Sequence, residues 1–271
     1  MLPVAVASGA IVGLSLGLTG GGGAIFAVPL LVYGMAVDPR QAVAVSLAAV
    51  GTMAAVGFAL RRRAGQVEIA PGLTFAATGM IGAPIGAWLS FRVPETLLLS
   101  LFAVLAAVVA LRMWRQAAAI DRPFDCASVA DDASTCRRDA QGNLLLNTPC
   151  AMVLGLVGVL TGMLSGLFGV GGGFVIVPAL VLFSGMAMHR AVGTSLLIIA
   201  LTSAAGVAAQ LAWGRKIPLE LASYFVAGGV AGMLVGTMIA RRLSGPTLQR
   251  TFAAAIAAVA LFVIVRTWGT S

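Results

Sequence analysis

The chain of 271 residues is 60% hydrophobic before its 34 Gly are counted, and only 10% charged. A soluble domain has about 45–50% apolar residues with Gly included and about 25% charged. This composition, with a net charge of +8 and a single His, excludes a soluble enzyme, a nucleic-acid binder, a disordered chain, bis-His haem ligation and any multi-His metal site.

A membrane span takes about 20 apolar residues. Segments 2–18, 24–37, 41–60, 71–91 and 95–114 meet or approach that length, and a polar stretch covers 116–147. Then come 149–167, 173–188, 190–211, 218–240 and 246–267. The N-terminal stretch has no basic n-region and no A-x-A-like site, so it is expected to be the first membrane segment rather than a cleaved signal. The polar stretch divides the chain into a first membrane repeat (1–115), a connecting loop (116–147) and a second membrane repeat (148–271). Cys126 and Cys136 fall in the loop and Cys150 outside it; no CxxC pair exists, so neither a zinc ribbon nor a redox motif is indicated.

The halves match each other. GLTGGGGAIFAVPLL (17–31) aligns with GLFGVGGGFVIVPAL (166–180) at an offset of 149, and the same offset carries RQAVAVSL (40–47) onto HRAVGTSL (189–196). Gly57 then falls on Gly206 and Gly65 on Gly214. Internal duplication is the usual construction of secondary transporters. Segments 24–37 and 173–188 are short for a span, and each follows a glycine run that cannot hold a helix. The expected fold is therefore an all-α polytopic membrane protein of two homologous repeats. Each repeat has four to five hydrophobic segments and a glycine-broken short helix that ends near a proline or polar residue. Arg61–Arg63, Arg112, Arg115, Arg122, Arg137 and Arg138 place the 61–70 loop and the central loop inside. The cation tally separates inverted from parallel repeats by a single residue, and the uncharged N-terminus tips the expectation to inverted repeats.

Irregular backbone at membrane depth is tolerated only where protein buries it or a cavity adjoins it. The paired breaks, Gly20, Gly21, Gly22 and Gly23 with Gly169, Gly171, Gly172 and Gly173, are accordingly the candidate substrate site. Backbone N–H groups at the start of each short helix favour an anion there. Helix packing is the competing reading, and it accounts for Gly9, Gly13 and Gly17, for Gly158, Gly162 and Gly166, and for Gly228, Gly232 and Gly236, all spaced by four. It does not account for adjacent glycines, which point to different faces. Ser46, Thr194 and Ser195 could donate to a bound oxyanion or bond back to helix carbonyls. Arg40, His189 and Arg190 are either interfacial anchors or cations on the access path. Phe174 stands where G-x-G-x-x-G would need Gly, and no G-K-[ST] follows a glycine run, so no nucleotide site and no cofactor or metal is expected. The spans hold no Asp, Glu or Lys at their centres, which argues against a cation-coupled carrier and fits an anion path built from neutral dipoles.

Two halves that each carry G-x-x-G-x-G-G-like glycines, a proline some six residues on, and then A-V-x-x-S-L resemble the TauE/SafE sulfite exporter family, also called the 4-toluene sulfonate uptake permease family. The second half is the closer fit; the first has Ala44 and Val45 where the second has Gly193 and Thr194. The resemblance implies a multi-pass permease of the bacterial inner membrane moving a small sulfur oxyanion such as sulfite or an organosulfonate. Its partners would be that anion and the lipid bilayer, not nucleic acid. An anion-selective channel and a non-transporting structural subunit share the same glycines and remain the alternatives.

Overall fold

A computed structural model describes residues 2–21, 23–37, 39–90, 92, 95–120, 148–168, 173–212 and 218–268. These residues form ten helices: α1 (Leu2–Thr19), α2 (Gly23–Met35), α3 (Pro39–Arg63), α4 (Ile69–Ser90), α5 (Glu95–Ile120), α6 (Thr148–Phe168), α7 (Gly173–Ser184), α8 (Met188–Ala212), α9 (Leu219–Arg242) and α10 (Gly245–Trp268). Each coincides with one predicted segment. Windows of α3, α4, α8 and α9, among them Ala44–Arg63 and Met188–Ala208, are long and apolar enough to cross a membrane. α5 runs past its predicted end at 114 because Arg115–Ile120 (RQAAAI) is rich in strong helix formers. The rest of the predicted loop, residues 121–147 with Cys126 and Cys136, lies outside the described residues.

At 13 and 12 residues, α2 and α7 rise only about 20 Å, short of a hydrocarbon layer about 30 Å thick. They end at Met35 and Ser184, two and four residues short of the expected 37 and 188. Pro29 and Pro178 lie inside the helices. Termination comes from a left-handed residue immediately after, Ala36 (φ 53°) and Gly185 (φ 59°), which are equivalent at the offset of 149.

Small residues set the closest packing. α1 lies along α9, with Gly9 against the Phe225 carbonyl, Gly13 against Gly229 and Gly17 against Met233, so the two run parallel. Gly228, Gly232 and Gly236 return the contact against Val6, Ala10 and Leu14. A Cβ at any of these six would overlap the facing backbone. α4 and α6 form the matching parallel pair, through Gly79, Gly82, Gly158 and Gly162. α3 and α8 run antiparallel: Leu47 meets Gly206, Gly51 meets Ser203 and Gly57 meets Leu196. The remaining neighbours follow the same exchange between halves: α1 with α2 and α6 with α7, α2 with α3 and α7 with α8, α3 with α9 and α8 with α4.

Apolar side chains such as Ile81, Val104, Met152, Leu156, Met238 and Leu261 are more than half exposed on the outer surface, as lipid contact requires. One end of the bundle gathers Arg61–Arg63, Arg190, Arg241 and Arg242, and Gln249 at the start of α10 donates to the Met113 carbonyl beside Arg112 and Arg115 (3.2 Å). At the opposite end Arg92 stacks over the Trp88 ring at 3.9 Å, an aromatic–cation pair typical of the membrane interface.

Candidate functional site

The two glycine breaks meet. Gly21, two residues before α2, packs backbone to backbone against Gly173, the first residue of α7. The N-terminal ends of both half-length helices therefore converge inside the protein. α1 closes at Gly20, whose N–H donates to the Leu16 carbonyl (2.8 Å) and whose φ of 74° turns the chain toward α2. Gly23 sits against Val12 and Leu16 of α1, so packing alone demands glycine there.

Side chains from α8 hold this junction. The Ser195 hydroxyl is 2.8 Å from both the Gly20 and the Val192 carbonyl oxygens and can donate to one at a time. Ser195 thereby reaches across to the break and also back along its own helix. Thr194 is fully buried, and its Oγ accepts the backbone N–H of Glu68 (3.0 Å), fastening the start of α4 to α8. Ser46 is buried on α3. Gly22, Gly169, Gly171 and Gly172 lie outside the described residues. Of the access-path cations, Arg190 pairs with buried Glu68 (3.3 Å) and His189 is half-buried beside it, both at the arginine-rich end. Arg40 begins α3 at the opposite end, so the three do not form one entrance.

Sequence reasoning missed one group. The Arg61–Arg63 run reads as interfacial, yet Arg61 is 0% exposed while its two neighbours face outward. Its guanidinium crosses to α1, where Nη2 donates to the Gly17 carbonyl (3.0 Å), and Nη1 lies 3.4 Å from Gln66 Oε1. Exposed Arg62 sits over Phe58 at 5.9 Å, beside a surface hollow of about 420 Å³ lined by Phe58, Ala59, Arg62 and Arg63. That is the ordinary interfacial role. The signal available in the sequence was that Arg61 corresponds to neutral Gln210 at the offset of 149.

Broken helices meeting in a buried junction, inside a bundle of apolar helices with one strongly basic end, describe a multi-pass membrane transporter. The sulfite exporter TauE/SafE family model matches residues 5–263, and the chain belongs to that family. Probable membrane transporter proteins of Xylella fastidiosa, from strains Temecula1 and 9a5c, are each 35% identical over 274 residues, covering 99% of this chain and 97% of the relative. No solved structure matches the chain.

Proposed function

We propose that the protein is a permease for a small sulfur-containing oxyanion of the sulfite or organosulfonate class, moved outward and driven by the membrane potential, with proton coupling optional. The observation that carries this reading is the convergence of the α2 and α7 N-termini at Gly21 and Gly173. Two helix N-termini supply N–H donors and positive dipole ends without any cation in the site. Around them, Gly20–Gly23, Ser46, Gly169, Gly171–Gly173, Thr194 and Ser195 form the substrate path, with Arg40, His189 and Arg190 at its mouths. The antiparallel contact of α3 with α8 supports reading 1–115 and 148–271 as inverted repeats about this point. With the arginine-rich end inside, export of an anion from a negative interior is favoured by about 2.3 kcal/mol per charge per 100 mV. At roughly 150 mV a divalent anion gains about 7 kcal/mol, a gradient of about 10⁵-fold. No coupling carboxylate is then required.

In proteoliposomes loaded with sulfite, a negative interior imposed with valinomycin should accelerate efflux. Efflux indifferent to voltage but abolished by collapsing a pH gradient would refute the proposed driving force. Flux that neither saturates nor accelerates by counter-flow would make the protein a channel.

A further inference from the structure

Arg61 is buried near the end of a membrane-spanning window, and no negative charge among the described residues balances it. Both of its hydrogen-bond partners, the Gly17 carbonyl and Gln66 Oε1, are neutral, and its Nε–H is buried without an acceptor. Among the described residues no carboxylate lies within ion-pair distance of it, and the nearest acid in sequence, Glu68, is paired with Arg190. Among the described residues the groups within electrostatic reach are themselves basic, Arg241 at the end of α9 and His189 at the start of α8. A buried cation without a counter-charge is strongly unfavourable.

Unused hydrogen-bonding capacity surrounds the same point. Gly17, which accepts from Arg61, lies so close to α9 that a Cβ on it would be 2.9 Å from the Thr237 nitrogen. The Thr237 hydroxyl is buried and has no partner among the described residues, and neither does the buried His189 Nδ1. Three elements thus bring a bare guanidinium edge, a free hydroxyl and an imidazole nitrogen to the end of α1, among cations.

We propose that Arg61, Thr237 and His189 form an inner anion-binding station that takes a small oxyanion. An ion of this class supplies the missing negative charge and offers several acceptor oxygens, one for the Arg61 Nε–H and another for the Thr237 hydroxyl. Chloride would balance the charge without offering separate acceptor oxygens. Gly17 is three residues before the Gly20 break, so the station stands directly ahead of the glycine junction. Its place in transport rests on the permease reading above. The second half lacks the guanidinium, having Gln210 at the equivalent position, so the station exists at one end only.

The test uses the purified full-length protein with sulfite as probe, and sulfate and chloride at equal ionic strength for comparison. The apparent Kd is read from the anion-dependent rise in melting temperature, and KM from initial efflux at graded internal sulfite. Arg61→Gln should raise both by about tenfold or more, and Thr237→Val, which removes one donor, by about three- to tenfold. Arg61→Lys, which keeps the charge, should recover part of the response, showing that the loss is not misfolding. Wild-type Kd and KM in Thr237→Val together with a wild-type Kd in Arg61→Gln would overturn the station and leave transport through the glycine junction standing. Wild-type protein that none of these anions stabilises or crosses would overturn both.

Discussion

Ala36 and Gly185 occupy equivalent places after the two short helices, both left-handed, and only one is glycine. The left-handed conformation is unfavourable for an L-residue by about 1–2 kcal/mol. Introducing glycine gives back about 0.5–1 kcal/mol through greater backbone freedom in the unfolded chain. Ala36→Gly should therefore stabilise by about 0.5–1 kcal/mol, and Gly185→Ala should destabilise by a similar amount. No packing contribution obscures the comparison, because Ala36 is exposed and a Cβ at Gly185 would meet no atom within 4 Å. At about 2–4 °C per kcal/mol, the shifts are about 1–4 °C in opposite directions. Thermal ramps on detergent-purified protein at one fixed scan rate measure this, since irreversible unfolding makes the midpoint rate-dependent. The double exchange should return to the wild-type value. A lower melting temperature for Ala36→Gly, or a higher one for Gly185→Ala, would refute the backbone argument.

Ser195→Ala removes the hydroxyl at the Gly20 carbonyl and should lower stability by about 1 kcal/mol and sulfite efflux severalfold; unchanged efflux would detach Ser195 from the path. Gly13→Leu should prevent the α1–α9 seam and yield no monodisperse protein, whereas Gly34→Ala, with open space around it, should be tolerated; size-exclusion profiles decide between them. The loop between α5 and α6 leaves from the arginine-rich end, so Cys126 and Cys136 should resist a membrane-impermeant maleimide in intact cells and stay reduced. Labelling there would reverse the orientation.

The ten helices were legible because apolar run length and glycine punctuation are local properties. So was the meeting of small residues: Gly9, Gly13 and Gly17 announced a seam, though not that its partner was α9 rather than a helix of the same half. The ends of α2 and α7 fall two and four residues short of the apolar runs because a left-handed residue redirects the chain before the run is exhausted. Arg61 was hidden by its neighbours. Three consecutive arginines spread around one turn, and only the position of Gly17 on α1 decides which of them turns inward. The Thr194 bond to the Glu68 N–H was equally invisible, since it joins residues 126 positions apart.

The parallel seams have a consequence for biosynthesis. Gly9 needs Phe225 and Gly229 to cover it, so α1 enters the bilayer long before its partner exists. At about 5–20 residues per second the wait is roughly 10–40 s. During that interval the glycine stripe of α1 faces lipid or the insertion machinery; α6 arrives in time to cover α4, while α1 has α2 and α3 against it but not α9. α1 is made long before it is seated against α9. A ribosome stalled after the first half would leave a fragment whose α1 glycine stripe has no partner, and membrane proteolysis should find it there.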